Sequence, residues 1–198
     1  MVIWAAGTIA KQIEAEGEEE YVGRGISYCA ICDGSFHEKQ NVVVIGGGNS
    51  AIEEALYLAK ICKKVTIITR GHHFRADPVL MEKVMRANNV DLVTHHVITK
   101  FTGKDLLEQV TAKDRDSDNE IVLNVRGAFI YVGFTPSSTL LENFDILDED
   151  KYIIVDRNCE TKVTGLYAAG DCIQKNIRQI ATAVADGITC ASAIVRKI

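Results

Sequence analysis

The apolar positions along this chain fall into short runs that predict alternating strands and helices. The clearest run, Asn41-Val42-Val43-Val44-Ile45, is β-branched, bounded and five residues long, and predicts a buried strand. Gly46-Gly47-Gly48 closes it. Ala51, Ile52, Ala55, Leu56 and Ala59 then recur at helical spacing, predicting a helix over 50–60. Lys64-Val65-Thr66-Ile67-Ile68-Thr69 predicts a second strand. Together these make a βαβ unit of about 30 residues.

The same reading extends to both ends. Val2 to Gly7 predicts a buried strand entering a tight turn. Such a strand needs neighbours, so an earlier βαβ unit is expected upstream. Residues 14–20, five of them Glu, predict a solvated loop. Residues 79–88 predict a helix with Pro78 in its first turn, and 90–94 a strand. Two alternating runs, 106–111 and 121–125, flank a polar turn and predict an antiparallel hairpin. Residues 128–133 predict a buried strand, and Phe134-Thr135-Pro136 an interdomain crossing. Beyond it, strands are expected at 152–155 and 166–171, and an alanine-rich helix at 179–197.

Composition narrows the functional classes. Of 198 residues, 47% are hydrophobic and 25% charged, the balance of a globular chain with a sizeable core. A net charge of −5 offers no basic footprint for nucleic acid. No apolar run approaches the roughly 18–20 residues that span a bilayer, so no membrane association is expected. Met1 is followed by apolar residues without a basic segment, unlike a signal peptide. A cytoplasmic, reducing compartment is therefore expected for the six cysteines. In that setting a close pair is catalytic or metal-binding more often than structural.

Two motifs carry chemistry. In the first, Gly46-x-Gly48-x-x-Ala51 follows a strand and opens a helix. Gly46 permits the tight turn, Gly48 lets backbone approach a pyrophosphate, and Ala51 allows close helix–strand packing. A strand–helix turn with no ligand fits the same residues. At the end of the second strand an NAD site usually places Asp or Glu, but Thr69-Arg70 stands here, with Arg75 five residues on. A guanidinium suits a 2′-phosphate, which favours NADPH over NADH, although a solvated loop cation also fits Arg70.

The second motif is Cys29-x-x-Cys32, a spacing shared by redox dithiols and half zinc sites. No second such pair and no His-x₃₋₅-His exists. The adjacent pairs His72-His73 and His95-His96 point their members to opposite faces if they lie on strands, so no metal is expected. Asp33 beside Cys32 can move the proton that thiol–disulfide exchange requires, and Asp33-Gly34 also suits a turn. Cys62, Cys159, Cys172 and Cys190 are dispersed and read as core fillers.

Three segments taken together resemble the low-molecular-weight thioredoxin reductase family over essentially the whole chain. They are Gly23-Arg24-Gly25-Ile26-Ser27-Tyr28-Cys29-Ala30-Ile31-Cys32-Asp33-Gly34, then Gly46-Gly47-Gly48-Asn49-Ser50-Ala51-Ile52-Glu53-Glu54-Ala55, then Ala168-Ala169-Gly170-Asp171 with Arg178-Gln179. The resemblance implies an α/β fold in which a Rossmann-like NAD(P)-binding domain, residues 14–133, is inserted into a partial FAD-binding Rossmann-like domain, residues 1–13 and 134–198. It implies electron flow from NADPH through FAD to the cysteine pair and on to thioredoxin. Cys32 is then expected to face the flavin, Cys29 to exchange with the partner and Asp33 to donate the proton. Asn49 and Ser50 join the nucleotide loop. Gly170 and Asp171 are expected along the flavin's ribityl and phosphate part, with Arg178 and Gln179 bordering it. Hinges are expected near residues 23–25 and 133–136, and a homodimer in the intact form.

Two departures bear on these expectations. The family's first flavin phosphate loop has no counterpart here, which implies an N-terminal truncation and weak FAD retention. The family's His-Arg-Arg motif reads Thr69-Arg70-Gly71. A related flavin oxidoreductase, ferredoxin-linked or peroxiredoxin-reducing, and an inactive nucleotide-binding remnant remain alternative readings.

Overall fold

The computed structural model describes residues 1–197. Contacts divide the chain into two units, Met1–Lys11 with Gly133–Ile198, and Gln12–Val132. In chain order, β1 (Val2–Trp4) and β2 (Thr8–Ala10) come first. The second unit then runs α1 (Glu18–Tyr21), β3 (Ile26–Ser27), α2 (Ala30–Asp33), β4 (Asn41–Ile45), α3 (Asn49–Leu58), β5 (Lys64–Ile68), α4 (Pro78–Met85), β6 (Val90–Val93), β7 (His96–Gly103), β8 (Leu107–Asp114), β9 (Glu120–Asn124) and β10 (Gly127–Ile130). The chain then returns to the first unit with β11 (Phe134–Pro136), β12 (Leu166–Ala168) and α5 (Ile180–Val195).

The Gln12–Val132 unit is built on a parallel sheet of order β3-β10-β4-β5-β6. Its centre is β4, whose side chains alternate between two cores. Val42 and Val44 pack with Val65, Ile67 and Phe129 against Ala51, Ile52, Ala55 and Leu58 of α3. Val43 and Ile45 pack with Ile68, Ala128 and Ile130 on the opposite face, where Phe101, Leu107 and Val110 of the antiparallel β7-β8-β9 sheet meet them. A strand covered on both faces needs a continuous apolar run, which is why β4 shows no polar alternation. Each such side chain contributes about 1.5–3 kcal/mol when taken fully out of water.

Several elements differ from the sequence expectation. Residues 14–20 are not a solvated loop: they enter α1, and Glu18 is only 3% exposed. Its carboxylate accepts the backbone N–H groups of Ile13 (3.0 Å) and Glu14 (2.8 Å), and faces the Tyr28 hydroxyl (3.4 Å). Buried charge is tolerated there because these donors replace water. Strand β7 was not expected. A register shift between Ile98 and Lys100 breaks its alternation, placing Ile98 and Phe101 on the core three residues apart. The hairpin of β8 and β9 forms as expected, paired Gln109 to Asn124.

In the other unit, β1 pairs in parallel with β12, and β2 in antiparallel fashion with β11. β1 is a strand, but Val2 and Ile3 are exposed rather than buried, since each two-stranded pair covers few of its own side chains. Residues 152–155 form no strand. Only Ile153 bridges, to Leu147 and Ile173, and it alone of the four is buried. Phe134-Thr135-Pro136 forms β11 inside this unit, and the chain passes between units at Lys11/Gln12 and Val132/Gly133. Gly23 to Gly25 lies within the second unit rather than at its border. Among the described residues no helix is long and apolar enough to cross a membrane.

Glu18 gives the fold its sharpest test. Glu18→Ala leaves two backbone donors without a partner and is expected to cost about 1–3 kcal/mol in denaturant unfolding. Glu19→Ala, at an exposed neighbour, is expected to stay within about 0.5 kcal/mol. Equal effects would contradict the capping role.

Candidate redox and nucleotide site

Cys29 and Cys32 are joined in a disulfide, with Cα atoms 5.3 Å apart. The local fold explains the pairing. Cys29 is extended (φ −147°) and caps the single turn α2, so the residue three positions on comes back beside it. The Cys32 N–H donates to Cys29 Sγ at 3.2 Å, and the Asp33 N–H to the Cys29 carbonyl at 3.1 Å. Cys32 is exposed and Cys29 half-buried.

Two residues absent from the sequence expectation hold this turn. Ser27, buried on β3, donates to Asp33 Oδ2 at 2.6 Å and accepts the Cys29 N–H at 3.1 Å. Tyr131, just after β10, accepts the Ala30 N–H on its hydroxyl at 2.7 Å. Burial lifts the Tyr131 phenol far above its ordinary range, with Glu54 and Asp33 adding to the effect, so the hydroxyl stays neutral. Burial, then the Glu53 charge, also raises the Glu54 carboxyl, opposed by the nearby Ile31 backbone and Tyr131 hydroxyl. His37 stands edge-on to Phe129, and burial lowers its imidazole below the usual value despite Gln40 and Asp33. A cavity of about 550 Å³ opens between Arg24, Ser27, Asp33, Phe36, His37 and Arg126.

The glycine turn between β4 and α3 forms as the spacing predicts. Gly46 has φ +150°, and a Cβ there would stand 2.5 Å from the Tyr131 carbonyl oxygen and 3.0 Å from Ala51 Cβ. Any side chain would break the close approach of turn, helix and β10. Gly48 is the reverse case: a Cβ there would meet nothing within 4 Å. Gly48 provides no side-chain cap, and a helix N-terminus without one favours an anion. Ala51 is 1% exposed, as close packing requires.

The remaining nucleotide-loop candidates divide. Ser50 is exposed at the mouth of the loop. Asn49 is also exposed, but its Oδ1 accepts the Asp77 N–H at 2.8 Å, which ties α3 to the cap of α4. Arg70 and Arg75 are exposed on the loop after β5, and among the described residues neither guanidinium has an ion-pair partner. The Arg75 N–H donates to the Gly47 carbonyl at 2.6 Å, fixing that loop beside the glycine turn.

The other unit brings Gly170, Asp171, Arg178 and Gln179 into one stretch. Gly170 follows β12 at φ +84°, and its N–H donates to Asp186 Oδ2 at 3.1 Å. Lys175 Nζ lies 2.7 Å from Asp186 and 3.8 Å from Asp171 Oδ1. Asp171 Oδ1 is buried without a hydrogen-bond partner among the described residues. Arg178 donates to the Asp171 carbonyl at 3.2 Å and lies over the Tyr152 ring at 4.0 Å. Gln179 stands at the start of α5, and its N–H donates to Thr182 Oγ1 at 3.1 Å. Lys175 and Asp186 carried no signal in sequence, because an isolated Lys and Asp eleven positions apart read as surface. Elsewhere, burial pushes the thiols of Cys62 and Cys159 up to about 11, consistent with inert core cysteines.

The sequence profile of the pyridine nucleotide-disulphide oxidoreductase family matches residues 1–187. The chain belongs to that family. Among its relatives, this chain is 40% identical over 196 residues to a thioredoxin reductase of Bacillus subtilis (strain 168), covering 98% of this chain and 61% of the relative. It is 38% identical over 187 residues to a thioredoxin reductase of Listeria innocua serovar 6a, covering 94% and 59%. The crystal structure of thioredoxin reductase from Streptococcus pyogenes MGAS5005 superposes with a TM-score of 0.92 at 36% identity, covering 98% of this chain and 64% of that one. The chain thus spans about three-fifths of the length of the curated relatives it matches.

Gly48→Ala tests the loop separately from the fold. Its φ of −99° and open surroundings predict unchanged thermal stability, while nucleotide affinity measured by calorimetry falls at least about tenfold if a pyrophosphate packs on Gly48. Unchanged affinity would remove Gly48 from the binding surface.

Proposed function

We propose that this chain carries the dithiol and the nucleotide loop of a thioredoxin-disulfide reductase that passes electrons from NADPH through FAD to Cys29 and Cys32, and on to thioredoxin. The observation that carries the reading is a Cys29–Cys32 disulfide in the same unit as an open, uncapped phosphate loop. In this reading Gln12–Val132 is the NAD(P)-binding domain, and Met1–Lys11 with Gly133–Ile198 belongs to the FAD domain of a cytoplasmic homodimer. The residues present fit both cofactors. Gly46, Gly48, Ser50 and Ala51 form the pyrophosphate seat with Asn49 bracing it, and Arg70 and Arg75 face the 2′-phosphate. The unpartnered Asp171 Oδ1 and the left-handed Gly170 suit a hydroxyl-rich ribityl chain, with Arg178 and Gln179 at its border. Bound FAD supplies the two-electron link between nicotinamide and thiols.

The chain's own chemistry is thiol–disulfide exchange. With the pair reduced, the Cys29 thiolate attacks one sulfur of the partner's disulfide. A Cys29–partner S–S bond forms, and the other partner sulfur leaves as thiolate. Cys32 then attacks Cys29 Sγ, restoring the internal disulfide and releasing the second partner sulfur. Two electrons pass to the partner. Asp33, held by Ser27, gives or takes the accompanying protons at sulfur.

The test uses single-cysteine variants. Cys29→Ser and Cys32→Ser should each abolish thioredoxin reduction and retain nucleotide binding. Cys32→Ser alone should trap thioredoxin in a mixed disulfide. Turnover by either variant would reject the reading, and trapping only by Cys29→Ser would reverse the two roles. A second reading, a related enzyme with a different donor or acceptor, is favoured by Gly71, which stands where the family motif has a second arginine. Faster oxidation of NADH than of NADPH would select it.

A further inference from the structure

Adjacent histidines cannot readily share one ion, but the fold takes one member from each pair and sets them together. His72, on the loop after β5, stacks on His95, on the turn after β6, with ring centroids 3.8 Å apart. Asp116, on the turn between β8 and β9, places Oδ2 2.8 Å from His95 Nε2. One ligand atom from each of the three lies within 4.8 Å of the other two.

The three loops are held in this arrangement by backbone. The His95 N–H donates to the Gly71 carbonyl at 2.9 Å, and the Arg115 N–H to the His95 carbonyl at 3.0 Å. Asp114 Oδ1 accepts the Asp116 and Ser117 N–H groups, fixing the turn that presents Asp116. His95 is itself held in the left-handed region, φ +60°, which a non-glycine residue adopts only when its surroundings over-determine it. Its side chain is 13% exposed, and both ring nitrogens are buried without a hydrogen-bond partner among the described residues. The approach to Asp116 is close but lacks hydrogen-bond alignment. Buried imidazole nitrogens are normally satisfied, so this pair of unsatisfied atoms marks a ligand position.

We propose that His72, His95 and Asp116 form a site for a divalent transition-metal ion of the Zn²⁺ class. Two imidazoles and one carboxylate are the donor set of an open tetrahedral centre, whose fourth position takes water or an anion. Tetrahedral ligands at about 2.1 Å from an ion stand about 3.4 Å apart, so the ligand atoms must draw closer on binding. The near-parallel rings require one imidazole to turn toward the other's plane. His72, the exposed member, is the one to turn, while His95 is more buried and its backbone N–H and carbonyl are both bonded. Because His72 shares its loop with Arg70 and Arg75, occupancy also fixes the segment beside the nucleotide loop.

The experiment is calorimetric titration of the tag-free, full-length oxidised chain with Zn²⁺, repeated with Co²⁺ in an absorbance cell. Oxidation keeps Cys29 and Cys32 out of the ligand count. One equivalent should bind, with cobalt bands of nitrogen and oxygen ligation and no thiolate charge-transfer band. His72→Ala and Asp116→Ala, both at exposed positions, should each weaken binding at least about tenfold. His73→Ala and His96→Ala should leave it unchanged. Absence of binding by the parent chain, equal affinity in the ligand and control variants, or a thiolate band would overturn the proposal.

Discussion

The structure of the Gln12–Val132 unit depends on the close approach of β10 to β4, and Tyr131 is where that approach becomes chemistry. Its N–H donates to the Ile45 carbonyl at 2.7 Å, which continues the β4–β10 ladder into the loop region. Its carbonyl lies so near Gly46 that only glycine fits there. Its hydroxyl accepts the Ala30 N–H at the start of the turn that holds the disulfide. One residue therefore fixes both the phosphate-loop turn and the helix turn that pairs the cysteines. The buried apolar faces of β4 and β10 anchor it in turn.

The placement of polar groups follows from this frame. A short helical turn leaves its first N–H groups unpaired, and here Tyr131 and the sulfur of Cys29 accept two of them. At α3 the equivalent groups have no side-chain cap. The two turns differ: protein groups close the turn that holds the disulfide, and the turn that follows the glycines has no side-chain cap. Ser27 extends the same logic to Asp33, holding the carboxylate beside the cysteine turn.

Much of this was legible in the sequence because the signals are local. A both-faces-buried strand announces itself by an unbroken β-branched run, and Gly46, Gly48 and Ala51 encode a turn within six residues. Pro78 marked the start of α4 for the same reason. What was not legible depended on distant partners. Glu18 reads as one of five surface carboxylates, and its burial follows from backbone donors at Ile13 and Glu14 that no residue type reveals. β7 hides because its register shift disrupts the period of two. Residues 152–155 look like a strand, yet only Ile153 among them forms a β-bridge. Nothing in their residue types marks Ser27 or Tyr131 as a partner of the cysteine turn, and the meeting of His72 with His95 arises only when β5 and β6 lie side by side.

The central claim is that Cys29 and Cys32 alone form a reversible dithiol among six cysteines. Alkylation of the folded chain at about pH 8, read by mass spectrometry before reduction, after reduction and after re-oxidation, tests it most directly. The account predicts label at Cys29 and Cys32 only in the reduced state, its loss on re-oxidation, and no label at Cys62 or Cys159, whose thiols burial holds at about 11. Equal labelling of Cys29 and Cys32 in all three states, or a reduction-dependent change at the buried cysteines instead, would contradict it.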